Sequence, residues 1–164
     1  MTITDADSLL DSLSSDEDRT RLRRFGYQEA WALGVWSVER MTAESLTGAV
    51  TILLGDQRVF HAALAGTSAD LDLWLDRKVR VVRMYGRSSY YVKRLFIAQD
   101  RDFATTSLHD PRELMAAGGG MPIRVGESIV GVIAFSGWHE QGEHAVAVEG
   151  LETLAASQRG ADGD

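Results

Sequence analysis

Two hairpin signals, each flanked by helical stretches, constrain the fold of this chain more than any other feature. Gly48–Leu54 is rich in strand formers (Ala49, Val50, Thr51, Ile52, Leu53, Leu54), and Gly55-Asp56-Gln57 reads as a turn. Arg58–Leu64 returns, with Val59, His61 and Ala63 on one face and Phe60, Ala62 and Leu64 on the other. A second pair, Met121–Val125 and Ile129–Ser136, turns at Gly126-Glu127-Ser128. Hairpins make antiparallel pairs. The chain therefore reads as an α+β domain, one antiparallel sheet with helices on its face or faces.

The helical stretches follow from capping and periodicity. Residues 1–15 form an acidic N-terminal segment, in which Leu9, Leu10 and Leu13 allow a helical turn. A helix is expected from Ser14 or Ser15, with Asp16, Glu17 and Asp18 at the positive end of its dipole, to about Met41. Its middle, Ala30–Val38, is apolar nearly all round, so it needs cover on more than one side. A second subunit would supply that cover, with Trp31 and Trp36 as interface candidates. A helix over about Ala69–Tyr85 places Leu71, Trp74, Leu75, Lys78, Val79, Val82 and Tyr85 along one side. Gly86 stops it. Residues 88–103 fit either helix or strand. Asp110-Pro111 opens a short helix to Met115, Gly118-Gly119-Gly120 is a break, and a last helix covers about Gly142–Ala156. The domain proper is residues 16–156, and the polar tail 157–164 is expected to be disordered.

Length and composition narrow the function. A chain of 164 residues is one domain and needs no metal or disulfide to fold. A net charge of −7 excludes a general nucleic-acid binder, which needs a dominant basic face. The absence of cysteine removes disulfides, thiolate catalysis and Cys-type zinc sites. There is no basic, apolar leader and no apolar run near the ~20 residues of a membrane span. The expectation is a soluble, cytoplasmic protein.

Several constellations carry chemistry. Residues 77–94 hold seven bases (Arg77, Lys78, Arg80, Arg83, Arg87, Lys93, Arg94) and no acid. They form either a site for a small anion, with Ser88 and Ser89 adding hydroxyls, or a solvated face paired with Asp72, Asp76 and the acidic N-terminus. Gly119 and Gly120 offer bare backbone for close approach of a ligand, or only a flexible strand entry. His139-Glu140-Gln141-Gly142-Glu143-His144 is one residue longer than a zincin motif. Its histidines would lie about 140° apart on a helix, so no metal site is expected. His61 on its strand is either an iron ligand or pocket acid–base group, or a hydrogen-bonded edge histidine. No Gly-x-Ser-x-Gly elbow is present, and no catalytic set is legible.

These segments join into a resemblance. Phe60-His61-Ala62-Ala63-Leu64-Ala65-Gly66-Thr67-Ser68, Trp74-Leu75-Asp76-Arg77-Lys78, Val81-Val82 and Ser88-Ser89-Tyr90 follow a familiar order. So do Gly119-Gly120-Met121-Pro122-Ile123, Ile129–Ile133, Ser136-Gly137 and Glu143-His144. Over residues 20–156 the chain resembles the haem-degrading domain family, in its small stand-alone branch. The resemblance implies a profilin-like α+β domain with about five antiparallel strands flanked by helices, and a homo-oligomer. It implies binding of haem or another flat, anionic tetrapyrrole. His61 or His144 would be the axial ligand, Arg77, Arg87, Ser88 and Ser89 would meet propionates, and Gly119 and Gly120 would line the pocket. Haem degradation would rest on family likeness alone. Two departures stand out: Ala69-Asp70-Leu71 replaces a Pro-Asp-Asn of the branch, and Glu143 replaces its aspartate. The rival reading is an oligomeric interaction or assembly module without a cofactor, built on residues 30–38.

Overall fold

The computed structural model describes residues 3–163. Met1, Thr2 and Asp164, at the ends of the expected acidic segment and tail, lie outside it. Four strands, β1 (Ala49–Leu54), β2 (Gln57–Ala63), β3 (Gly120–Val125) and β4 (Ser128–Ser136), form one antiparallel sheet in the order β2-β1-β4-β3. Both hairpins stand where the sequence places them. β1 pairs with β4 across the sheet centre, Ile52 opposite Ile133. The resemblance implied about five strands, and the described residues form four.

Strand alternation sorts side chains onto two faces. Val50, Ile52, Met121, Ile123, Ile133 and Phe135 face α2 (Tyr27–Ala43) and α6 (Glu140–Ala161), meeting Leu33, Met41, Ala147 and Leu151. Ala49, Leu53, Val132 and Ala134 face α3 (Asp70–Tyr85), meeting Leu75, Val79 and Val82. The sheet is thus covered on both sides. α4 (Ser89–Ala98) and α5 (Phe103–Thr106) add a smaller cluster of Val92, Phe96, Phe103 and Ala116 against Val81.

Three local expectations are corrected and one open alternative is decided. The helix expected from Ser14 to Met41 is two helices, α1 (Ile3–Arg19) and α2, broken over residues 20–26. The break lets Leu22 bridge to Val125 at the edge of β3 and bury itself in the core. Buried Gln158 secures it, its amide oxygen accepting from the Arg23 N–H at 2.8 Å and its amide nitrogen donating to the Arg24 carbonyl at 2.8 Å. The tail, expected to be disordered from Ser157, continues α6 to Ala161 for that reason. Residues 111–113 form a turn and no helix follows to Met115; the helix in that region is α5, capped by Asp102, which accepts from the Thr105 N–H at 3.0 Å. The ambiguous stretch becomes α4, because the Ser88 hydroxyl caps it by accepting from the Tyr91 N–H at 3.1 Å. No helix among the described residues is long and apolar enough to cross a membrane.

Candidate functional site

A lysine on an apolar helix face builds the site. Lys78 lies on α3 between Leu75 and Val82, facing the sheet, and is 2 % exposed. Its ammonium donates to the Phe135 carbonyl at 2.7 Å and to Glu143 Oε2 at 2.7 Å. Glu143, in the first turn of α6, is buried too. Its Oε1 accepts from the Gly137 N–H at 2.8 Å and the Trp138 N–H at 3.0 Å. The carboxylate therefore ties the end of β4 to the start of α6. Burial pushes the Lys78 ammonium below its usual 10.5, against the pull of the Glu143 charge and hydrogen bond.

An ammonium has three N–H donors, and these two bonds leave the third. The Lys78–Glu143 pair lines a cleft of about 280 Å³. Trp74, Trp138 and Leu71 line it with apolar surface, and Ser136, Lys78, Glu140 and Glu143 line it with polar groups. The site brings α3, the β4–α6 junction and residues 117–119 together. Gly119 takes φ +120° there; a Cβ on it would stand 2.4 Å from the Phe135 carbonyl and 3.1 Å from Lys78 Nζ.

The predicted site residues do not converge on one pocket. Arg77 is near the cleft, its guanidinium 5.1 Å over the Trp74 ring and its Nε donating to the Arg112 carbonyl at 3.1 Å. Gly119 packs behind Lys78, and Gly120 begins β3, its N–H donating to the Ser89 hydroxyl at 2.9 Å. Arg87 and Ser88 do meet an anion, but it is the chain's own. Glu17 on α1 accepts from Arg87 Nε at 3.0 Å and from the Ser88 N–H at 2.8 Å. Ser89 is buried and closes the start of β3. His61 stands on edge strand β2, Nε2 3.2 Å from Asp72 Oδ1 and Nδ1 3.5 Å from Arg58. His144 is buried beneath α1, Nε2 3.1 Å from Asp16 Oδ2 and ring 5.4 Å from Tyr90. The two histidines share no pocket.

Sequence reasoning named Lys78 within the basic run 77–94 and Glu143 within the His139–His144 stretch, and did not join them with Trp138 and Ser136 as a site. One signal was available: Lys78 falls in the apolar stripe of its helix, where an unpaired charge is too costly to bury. The partner, far away in sequence, had no local signal. Trp31, offered as an interface residue, is 66 % exposed. Trp36 instead packs between α2 and α6, against Gly150.

The fold and the cleft define a class: a small α+β domain with a two-sided sheet and a recessed polar pair. The family model for haem degrading protein HbpS-like matches residues 25–152, and the chain belongs to this HbpS-like family. It is 43 % identical over 141 residues to a UPF0303 protein of Streptomyces avermitilis, covering 85 % of this chain and 86 % of that one. Among solved structures, the Ybr137w protein matches with a TM-score of 0.84 at 25 % identity, over 90 % of this chain and 88 % of that one. A PduOC–heme complex matches with a TM-score of 0.67 at 11 % identity, over 79 % and 94 %. That last likeness is one of fold.

The family name raises haem, and the histidines test it. None of the four lines the Trp74–Trp138 cleft. His139 caps α6, its Nδ1 accepting from the Gly142 N–H at 3.0 Å, so the neutral ring carries its proton on Nε2. His109 Nε2 lies 3.1 Å from the Tyr85 hydroxyl. His61 is engaged with Asp72 on one nitrogen and faces Arg58 on the other. His144 Nδ1 has no partner, but it is buried under Tyr90 and α1 with Nε2 on Asp16. This chain's residues do not form an axial iron site at the cleft. Among the described residues no group of three His, Asp or Glu side chains gathers as metal ligands do.

Proposed function

We propose that the chain is a small-ligand-binding module, with the cleft beside Lys78 as its site. The ligand class is a flat or apolar molecule bearing an anionic or carbonyl oxygen. The Lys78–Glu143 pair, which lines the same cleft as two indoles, carries this reading. Two indoles and Leu71 supply the apolar surface, and Lys78, the Ser136 hydroxyl, Glu140 and Glu143 supply the polar groups that would orient a ligand. Tetrapyrroles belong to this class through their propionates. The HbpS-like match and the heme-bearing PduOC neighbour make them the first to try. In this reading the chain supplies no axial imidazole. We also read it as a cytoplasmic homo-oligomer, the exposed Trp31 being the interface candidate.

Titration of the full chain with benzoate, and separately with iron-free protoporphyrin, tests the reading through tryptophan fluorescence. At least one probe should quench saturably at one ligand per chain. The Lys78→Met/Glu143→Gln variant, its fold checked by circular dichroism, should bind at least tenfold more weakly. Equal binding by that variant, or no saturable change with either probe, overturns the proposal. A hemin complex with an imidazole-type Soret band, lost in His61→Ala or His144→Ala, also overturns it and moves the site to that histidine.

A further inference from the structure

The cleft has a neighbour behind Trp74. A recess of about 210 Å³ lies between α4, α5 and residues 115–117. Ile97, Phe103, Ala104, Met115 and Ala116 make it apolar. Its two charged residues are already committed. Lys93 holds both oxygens of Glu140, at 2.7 and 2.8 Å, and Asp102 caps α5. Both hold partners within the chain, so the recess offers a ligand chiefly apolar surface.

The two recesses share Trp74 and Ala117 as a common wall. The Lys93–Glu140 pair spans their rim, Lys93 lining one and Glu140 the other. Each recess is smaller than the roughly 300–1,000 Å³ of small-molecule sites, while the two joined reach that range. Their chemistry differs: the cleft holds the Lys78 ammonium together with Glu143 and Glu140, and the second recess is mainly apolar. Ile97, at the outer wall, is 40 % exposed, which leaves an apolar surface for a ligand to cover.

We infer that the two recesses are the ends of one ligand site, which takes an amphipathic carboxylate with its head at Lys78 and its hydrocarbon tail along Trp74 in the Ile97–Phe103–Met115 chamber. This rests on the cleft reading above and adds the ligand's second half.

Calorimetric titration of the full chain with butyrate, hexanoate, octanoate and decanoate tests it. Affinity should rise about fourfold for each methylene added, the gain expected for burying hydrocarbon, until the chamber is full. Ala104→Leu narrows the chamber from the half-exposed α5. It should leave butyrate binding unchanged and flatten the rise for the longer chains. Met115→Phe should act alike, and serves if the first variant loses its fold. Butyrate binding with no gain in length overturns this inference and leaves the cleft reading standing. A gain in length that neither variant alters also overturns it, because the tail then lies elsewhere. Failure of these carboxylates, of benzoate and of protoporphyrin together overturns both.

Discussion

The Lys78 ammonium and the Glu143 carboxylate meet at 2.7 Å inside the protein, 65 residues apart in the chain. Removing one member of a buried pair strands the other charge, at a cost of about 3–5 kcal/mol. Lys78→Met is therefore expected to destabilise strongly in urea unfolding. Lys78→Met/Glu143→Gln removes both charges and keeps an amide oxygen for the Gly137 and Trp138 N–H groups. It should recover more than half of the loss.

The same lysine predicts an alkaline effect. Its pKa is lower folded than unfolded because burial disfavours the charged form. Between the lowered value and 10.5 the unfolded chain binds more protons, so stability rises with pH across that window. Below it, the cost of burying the charge is present in full. Unfolding free energies measured from neutral pH to just below pH 10.5 should show the rise, and Lys78→Met should lack it.

Asp16 predicts an acid effect of the ordinary sign. Burial alone would raise its pKa, but hydrogen bonds from His144 and Arg19 outweigh burial and hold it below 3.8. Tyr90 packs on the same imidazole. The stabilisation is fully present above 3.8 and is lost as pH falls through the lowered value. Asp16→Asn should be less stable than the parent at neutral pH, and the difference should shrink on acidification. A difference that does not change with pH would count against the Asp16–His144 contact.

Gly119→Ala should fail for two separate reasons. A φ of +120° is strained for any side chain, by about 1–3 kcal/mol. The added Cβ would also press on the Phe135 carbonyl that receives Lys78. Thermal unfolding should shift down by several degrees, and ligand affinity should fall with it. An unchanged melting temperature would mean that the backbone here relaxes.

Trp31 separates assembly from folding. Its ring is largely exposed and touches Phe60 edge-on at 5.8 Å, a contact worth about 0.5–1.5 kcal/mol. Trp31→Ser should leave the fold intact and lower the mass seen by sedimentation. Trp36→Ala is a poor test, since Trp36 fills the space against Gly150 and its loss would loosen the α2–α6 packing. An unchanged mass for Trp31→Ser would place the interface elsewhere.

The sheet and α3 were legible because their signals are local. Val50 and Ile52 alternate with Ala49 and Leu53, and Leu71, Leu75, Val79 and Val82 recur at helical spacing. Each such pattern is complete within a dozen residues. The α1–α2 break was not legible, because what ends α1 is distant: Leu22 reaches β3 and Gln158 of α6 satisfies the Arg23 and Arg24 backbone. Arg87 and Ser88 were read as meeting a ligand's propionates or, in the alternative, as part of a basic run paired with the acidic N-terminus; the structure pairs them with Glu17 of that segment, and which acid they meet depends on how α1 docks.

By itself the sequence determined the α+β class, the two hairpins, the helices α3 and α6, and the family. Periodicity and turn chemistry depend on neighbours along the chain, so a single sequence displays them. Tertiary structure alone decided which charges face each other. It paired Glu143 with Lys78, brought Trp74 and Trp138 to one cleft, and sent His61 and His144 to different parts of the molecule. The physical reason is that burying a charge requires a partner, and the fold supplies that partner from any position in the chain.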